Sequence, residues 1–435
     1  MCELNKSAVN NNLPKKSLGR SWLCIGVIII LSSTNFLDIG TKLNIIGVFN
    51  VIDIGLVLIV LGICSLILYK GVPRGFSNKY SLMIVLIVLM LITQVGLASI
   101  YYDYPIKDGL TAIRLYMYYL SFFYFYLVLS SYERIVLFLD WLSWIALIAF
   151  AIGLFNFFVF PIIEHKWSEG HGIRSGVVRL YIPGMWLITF SAIWNLAKII
   201  EKGVLKDKKT SLITILLIAA IILRQTRMNI AGVFTAMLGM FFIKGRIGQM
   251  ILMISVLAVM FTIVQFEAGV DFIGGQYEET IGDMKKKDGG SYSSRLIQFH
   301  SAIDEFAKHP ILGSGAAAVR LDYNLDIMRR GKLNMLAAKA DLGYASWIKS
   351  FGITGLTWLC YLFFMLMRNG YRNKGNIENK GTPINLFVLG YTFYLIITYI
   401  TLNSFMYPHG IVLIALLMAI SARLTMNVNY KRKTK

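Results

Sequence analysis

Charged residues are scarce in this chain of 435 residues. Asp, Glu, Lys and Arg together make up 15% of it, against about 25% in an ordinary soluble domain. The charges that are present cluster between long apolar runs, and apolar residues make up 57% of the chain. This composition excludes a soluble globular domain and predicts a protein that crosses a membrane several times.

Residues that hold metals, redox partners or nucleotides are also scarce. The four cysteines, Cys2, Cys24, Cys64 and Cys360, form no CxxC pair. The five histidines show no HExxH or other metal-ligand spacing. The sequence contains neither a GxxxxGKS or GxxxxGKT loop for a nucleotide nor a nucleophile elbow for Ser-His-Asp catalysis. We therefore expect neither a metal nor a cofactor.

Apolar runs of about 20 residues, the length that crosses a bilayer as a helix, occur twelve times. The sequence thus predicts an all-α polytopic membrane protein with twelve transmembrane helices. The predicted spans are residues 22–37, 46–69, 80–100, 109–130, 135–160, 177–197, 210–223, 228–243, 249–266, 343–367, 385–405 and 410–425. The first follows Lys15, Lys16 and Arg20 without a small-residue cleavage site, which predicts an uncleaved anchor.

One connection between the predicted spans is far longer than the others. Residues 267–342 separate spans nine and ten, which is long enough for a folded subdomain. The predicted organisation is a cytoplasmic tail over 1–21, transmembrane helices one to nine over 22–266, a large periplasmic loop over 267–342, transmembrane helices ten to twelve over 343–425, and a basic cytoplasmic tail over 426–435.

The net charge of +20 is explained in part by topology. With the amino terminus inside, the short basic connections and the tail Lys431-Arg432-Lys433 face the cytoplasm, whereas the reverse orientation would export nearly all of them. We therefore predict that both termini are cytoplasmic and that nucleic acid is not a partner. Basic residues also recur on the predicted outer side, where this rule does not require them. They suggest an anionic partner at the outer leaflet.

Several arginines lie within or beside the outer ends of the predicted spans, where a buried charge is costly. Each could extend its charge to the lipid head groups or form a structural salt bridge. Together they favour phosphate binding, because the arginine fork bonds phosphate through two N–H groups. The leading candidates for a pyrophosphate site are Arg227, Arg295, Arg174 and Arg179, and the further candidates are Arg114 and Arg224.

The large loop contains one clear amphipathic helix. Ser291-Tyr292-Ser293-Ser294 offers N-caps, and Leu296, Phe299, Ile303 and Phe306 follow at helical spacing until Pro310 stops the helix. Its apolar side is expected to lie on the bundle or on the lipid interface. After it, Gly313-Ser314-Gly315 predicts a flexible loop whose backbone can approach a ligand, so Gly313 and Gly315 are candidate binding residues.

Two ionisable residues flank this part of the loop. His309 is either the C-terminal cap of the amphipathic helix or a functional group, and the sequence leaves both readings open. Asp341 is a lone acid among basic residues just before span ten. It either caps that helix or accepts a proton from a sugar hydroxyl.

These residues resemble the signature of a known superfamily. Ser294-Arg295 followed by His309-Pro310-Ile311-Leu312-Gly313-Ser314-Gly315 resembles the "SR … HPxxGxG" pattern of the O-antigen ligase and Wzy-type O-antigen polymerase superfamily. Gln225-Thr226-Arg227 looks like that family's Ser/Thr-Arg at the start of a helix. Phe351-Gly352-Ile353-Thr354-Gly355-Leu356 looks like its "fGilGl" entry into the next helix. The resemblance covers residues 210–367.

The resemblance implies a GT-C-like, metal-independent glycosyltransferase of the bacterial inner membrane. Its donor would be an undecaprenyl-pyrophosphate-linked oligosaccharide, whose pyrophosphate the arginines would hold. Asp341 or His309 would orient or deprotonate the acceptor hydroxyl. Membrane lipids, a chain-length regulator and a flippase are the further partners that this reading suggests.

Three alternatives remain beside a Wzy-type polymerase. Ligases of the superfamily resemble one another in a histidine shortly before the span after the large loop, where this chain has Lys339-Ala340-Asp341. This departure favours the polymerase over the ligase. A lipid-linked oligosaccharide flippase would need charged groups along the whole bundle, yet the cytoplasmic half has little beyond Asp140. A purely structural subunit would leave the outer arginines without a role.

Overall fold

The computed structural model of the chain describes residues 19–33, 51–71, 78–102, 105–158, 173–174, 177–178, 182–203, 206–224, 226–246, 248, 251, 254–255, 291–315, 342–372 and 382–433. The regular structure of these residues is helical, apart from the two-residue antiparallel strands β1 (Ile173–Arg174) and β2 (Val177–Val178), and short turns and loops connect the helices. The helices are α1 (Ser21–Ser33), α2 (Val51–Lys70), α3 (Lys79–Tyr102), α4 (Ile106–Ile113), a 3-10 helix (Arg114–Leu120), α5 (Ser121–Val128), α6 (Tyr132–Phe158), α7 (Met185–Lys202), α8 (Lys208–Leu223), α9 (Arg227–Lys244), α10 (Ser291–Lys308), α11 (Gly343–Arg372), α12 (Thr382–Thr398) and α13 (Pro408–Lys433).

The described helices confirm the predicted class of an all-α polytopic membrane protein. Eleven of the twelve predicted spans overlap helices of the described residues, and the ninth, 249–266, lies almost entirely outside these residues. Within the described residues, four helices are long and apolar enough to cross a membrane and three shorter ones are apolar as well, so the number of twelve spans stays a prediction. Most of the large loop, namely 267–290 and 316–341, also lies outside the described residues.

The fourth predicted span, 109–130, is not one continuous helix. It consists of α4, the 3-10 helix and α5, which follow one another without a gap. In a 3-10 helix residues three apart lie on the same side, and here this spacing buries Tyr116 and Tyr119 together. The prediction of a single helix was wrong because hydropathy reports apolar length but not the tighter winding that buries these rings.

Helix α13 is at the centre of the bundle. Residues 411–420 are completely shielded from solvent, as expected for a helix that is apolar on every side. It packs against α1, α5, α7, α11 and α12 and against the 3-10 helix. Helix α12 in turn packs on α7, α9 and α11. The helices that carry the superfamily motifs are therefore anchored on one buried core.

The two ends of the bundle differ in chemistry. We define the site end as the end at which α7, α9, α11 and α13 begin and α3 and α12 finish. Contacts across these termini define it: the Tyr344 N–H donates to the Tyr399 carbonyl at 3.0 Å, and the Trp186 ring lies 4.9 Å from that of His409. The opposite, basic end carries paired charges, including Lys198 with Asp140 at 2.8 Å.

Three helices are joined by buried polar groups towards the basic end. The hydroxyls of Tyr80 in α3 and Ser421 in α13 share a hydrogen bond of 2.7 Å. The Asn369 amide of α11 donates to both hydroxyls, at 2.8 and 3.1 Å. Because all three side chains are buried, these bonds fix α3, α11 and α13 relative to one another.

Replacing Tyr80 by Phe should therefore destabilise the bundle by about 1–3 kcal/mol, since it leaves a buried amide without one of its acceptors. The measurement is the thermal unfolding midpoint of the purified protein in detergent, which should fall. Tyr361→Phe is the matched control, because Tyr361 is 41% exposed on α11. Equal midpoints for the two variants would contradict the role of this triad.

Candidate functional site at the break in α11

Helix α11 is broken at Gly352, whose φ of +60° and ψ of −155° are not helical. Such a break removes two bonds of the helical ladder and so leaves two carbonyls before it and two N–H groups after it without helical partners. The signature loop, defined as His309–Gly315, bonds all four. The bonds run from Ser314 N–H to Lys349 O (2.8 Å), from Gly315 N–H to Ser350 O (3.0 Å), from Ile353 N–H to Pro310 O (2.9 Å) and from Thr354 N–H to Ile311 O (3.2 Å).

Glycine is required on both sides of this junction. Gly313, Gly315 and Gly352 all have positive φ, at +74°, +95° and +60°, a region that other residues rarely adopt. A Cβ on Gly313 would lie 2.4 Å from the Ser350 carbonyl carbon, and one on Gly352 would lie 2.5 Å from the Ile311 oxygen. The "HPxxGxG" and "fGilGl" motifs are thus two halves of one backbone junction.

This junction changes the interpretation of the loop glycines. Gly313 and Gly315 were expected to bring a flexible backbone close to a ligand. The close approach exists, but the partner is the backbone of α11, and both glycines are buried. The N–H groups from Gly313 to Gly315 are bonded to carbonyls of the chain itself, and ligand binding by the two glycines stays a prediction.

Helix α3 holds the same junction from a third side. The Gln94 amide donates to the carbonyls of Leu312 (3.0 Å) and Ser350 (2.7 Å), so it bonds the loop and the broken helix at once. Two turns further along α3, the Tyr101 ring stacks on the His309 imidazole, with centroids 4.5 Å apart and planes at 23°. The sequence analysis did not identify Gln94 or Tyr101.

The amphipathic helix of the large loop is confirmed as α10, and its packing can be compared with the two orientations expected for its apolar side. It packs on α11, and its buried residues are Gln298 and Ala302. The apolar residues Leu296, Phe299 and Ile303 are 41–45% exposed. Of the two orientations expected, packing of this apolar side on the bundle is therefore wrong for the described residues, because the small Ala302 side makes the contact.

Helix α10 also separates two candidate residues. Arg295 lies near its start and is exposed, whereas His309 follows its last residue. Fourteen residues of α-helix span roughly 21 Å. One phosphate group therefore cannot contact both side chains, and these two candidates belong to different parts of the site.

Arg114 has an acidic partner inside the chain. Its Nε lies 3.4 Å from Oδ1 of Asp53, which is buried near the start of α2. The salt-bridge alternative for this arginine is thus realised. The sequence analysis did not single out Asp53, although a lone acid in an apolar run was the available signal.

Arg224 and Arg227 lie on either side of the turn between α8 and α9, and α9 begins at Arg227 as predicted. Two residues later, buried Asn229 accepts a hydrogen bond of 2.8 Å from the Tyr394 hydroxyl of α12, which fixes the start of α9. Arg174 belongs to β1, and its side chain is not described. Arg179 and Asp341 lie outside the described residues.

No three His, Cys, Asp or Glu side chains within the described ranges lie close enough together to hold a metal ion. The described chemistry of the site end is therefore that of arginines, aromatic rings and a histidine. Such groups can bind phosphate and orient a hydroxyl.

Comparison with known families gives one match. Residues 212–360 match the family model Wzy_C, described as O-Antigen ligase. The matched segment begins in α8 and continues into α11, so it includes the signature loop and the break at Gly352. It covers about a third of the chain and confirms the predicted resemblance to the superfamily. No curated protein matches the chain.

We expect Gly352→Ala to lower the unfolding midpoint strongly, since the new methyl group would meet the loop backbone and the residue would keep a positive φ. The matched control is Gly96→Ala in α3, where a Cβ meets nothing within 4 Å. Alanine there should be neutral or stabilise by about 0.5–1 kcal/mol. An unfolding midpoint of Gly352→Ala equal to that of the wild type would contradict this steric constraint.

If Arg114 and Asp53 form an ion pair, replacing the second partner should restore part of the stability that is lost when the first is replaced. Arg114→Gln should destabilise the protein because it leaves a buried carboxylate without its ion pair, and Arg114→Gln/Asp53→Asn should recover most of that loss. We expect an effect below the roughly 3–5 kcal/mol of a fully buried pair, because the Arg114 side chain is 34% exposed. Thermal unfolding measures it, and a double variant no more stable than the single would contradict the pairing.

Proposed function

We propose that this chain, a member of the O-antigen ligase and polymerase superfamily through residues 212–360, is a Wzy-type polysaccharide polymerase. It transfers a polyprenyl-pyrophosphate-linked glycan onto a lipid-linked repeat unit at the periplasmic face of the bacterial inner membrane. The observation that carries the proposal is the junction at Gly352, where the two motifs of the matched family fit together bond for bond.

The transfer exchanges one bond for another. The acceptor hydroxyl oxygen attacks the anomeric carbon of the donor sugar, and the bond from that carbon to the pyrophosphate oxygen breaks. Polyprenyl pyrophosphate leaves with the electron pair, and Asp341 or His309 takes the hydroxyl proton. Arg227 and Arg295, with Arg174 and Arg179, stabilise the charge that develops on the leaving group.

The separation of Arg295 from His309 supports a site for two substrates. One phosphate group cannot contact both side chains across roughly 21 Å, so one residue can serve the leaving pyrophosphate while the other serves the acceptor hydroxyl. In this proposal Arg295 serves the leaving pyrophosphate, and the His309 end of α10 receives the acceptor. Arg224 extends the basic surface next to Arg227, while Arg114 contributes through its pair with Asp53.

An apolar groove supports a lipid-linked substrate. It has a volume of about 410 Å³ and lies between α3 and α11, with walls that include Leu86, Met90 and Trp358. Thr354, which donates its N–H to the signature loop, is part of the same wall. A polyprenyl chain in this groove would reach the junction from the membrane side.

The arrangement in the membrane is part of the proposal. Twelve spans, a large periplasmic loop over 267–342 and cytoplasmic termini would place the site end outside the cytoplasm. Lys198, Lys202 and Lys244 at the basic end then face the cytoplasm, as the positive-inside rule favours. A chain-length regulator and a flippase are the proposed protein partners.

The ligase remains the second candidate, because the matched family is described as O-Antigen ligase. It would transfer the glycan to lipid A-core instead of to a lipid-linked repeat. The Lys339-Ala340-Asp341 sequence argues against it. A flippase is less favoured, since Asp140 in the basic half already bonds Lys198.

The test is a gel of cell-surface polysaccharide from a strain that lacks the gene, complemented with wild type or with Arg295→Ala. The strain complemented with wild type should show a ladder of chain lengths. The empty strain and the strain with Arg295→Ala should show lipid A-core that bears a single repeat, because the variant loses its contact with the leaving group. Immunoblots of membranes confirm that the variant is present.

Lys308→Gln is the charge-matched control on α10, since Lys308 is exposed and pairs only locally with Glu305 at 3.2 Å. It should give the wild-type ladder. If the empty strain instead shows lipid A-core without glycan and accumulates long lipid-linked chains, the protein is the ligase. A normal ladder with Arg295→Ala would remove this arginine from the mechanism.

A further inference from the structure

We propose that α3 is the positioning element of the site, with Tyr101 and Gln94 as the residues that fix the His309 imidazole over the junction. The proposal rests on the proposed function for the role of His309, but its geometry is independent of the reaction. Neither residue belongs to the matched segment, which begins at residue 212.

The spacing along α3 makes this arrangement possible. Gln94 and Tyr101 are seven residues apart, so they lie on the same face of the helix two turns from each other. The signature loop contacts both: His309 at its start stacks on Tyr101, and Leu312 near its end bonds Gln94. One rigid helix face therefore holds both ends of the His309–Leu312 turn.

Gln94 is the deeper of the two contacts. It is 2% exposed, and its amide nitrogen bonds one carbonyl on each side of the junction. An apolar residue of similar size would leave both carbonyls without this donor. The turn that carries His309 would then lose one of its contacts with α11 and keep the backbone bonds and the bond from the Ser314 hydroxyl to the Lys349 carbonyl.

Tyr101 acts on the imidazole itself. Its side chain is 49% exposed at the end of α3, so the contact with His309 contributes little to the core. The near-parallel stack restricts the rotation of the imidazole and so selects the direction of its nitrogens. A residue at this position can alter the orientation of His309 without unfolding the bundle, which makes Tyr101 the more informative variant.

The experiment follows the reactivity of His309 in the purified full chain. Diethyl pyrocarbonate modifies accessible imidazole nitrogens, and peptide mass spectrometry gives the rate at His309 relative to His300. His300 is an internal reference, because it is exposed on the same helix α10 and contacts Phe299 rather than α3. We expect Tyr101→Leu and Gln94→Leu to raise the ratio several-fold, because the imidazole can then turn towards solvent.

Two further variants test whether the aromatic ring of Tyr101, rather than its hydroxyl group or a general change in α3, holds His309. Tyr101→Phe keeps the stacked ring and should restore the wild-type ratio. Ile100→Ala is the neighbouring control on α3, where the side chain is 75% exposed. An unchanged ratio in Tyr101→Leu, or the same increase in Tyr101→Phe, would overturn the proposal.

Chain extension with purified lipid-linked substrate tests the consequence for the reaction. A misplaced acceptor-binding group lowers the rate of the bound complex, so Tyr101→Leu should reduce kcat about tenfold or more while KM stays near the wild-type value. A raised reactivity ratio with unchanged kcat would overturn the positioning role. If wild type shows no extension at all, the proposed function fails, whereas the reactivity ratio still decides whether α3 holds His309.

Discussion

The backbone of a membrane helix has no water to bond, so every carbonyl and N–H group that a break exposes must find a partner in the protein. The structure around the candidate site follows from this constraint. Gly352 breaks α11, and the signature loop supplies donors and acceptors to the four groups that the break releases. Helix and loop are therefore each incomplete without the other. The glycines on both sides are the consequence, because only residues without a Cβ let two backbones approach this closely.

This junction also explains where the parts of the site lie. It attaches the end of α10 to the bundle, so His309 is held beside α3 and α11, while Arg295 at the start of the same helix extends away. The length of α10 then sets the distance between the two. The two candidate residues are therefore held about 20 Å apart along one helix, with the His309 end fixed at the junction.

Much of the fold could be predicted from the sequence, because long apolar runs and helix-terminal residues are local signals. The start of α9 at Arg227 and the amphipathic α10 were found in this way. The partners in three-dimensional contacts were not. Gln94 lies more than 200 residues from the loop it bonds, and no local pattern distinguishes it from other polar residues of α3. The break at Gly352 was not predicted for the same reason. A glycine within an apolar run is compatible with a continuous helix, and only the contact with the distant signature loop shows that the helix is broken there.

The junction is held by backbone atoms, whereas the residues around it act through their side chains. Its four bonds use backbone atoms alone, so they leave side chains free to face outward: Ile311 is 66% exposed and Ile353 is 52% exposed. Substitutions at such positions can alter the exposed surface without breaking a junction bond. His309 and the contacts from α3 are different, because their side chains themselves make the interaction. The exposed side chains can therefore vary while the backbone junction keeps the imidazole and α10 in place.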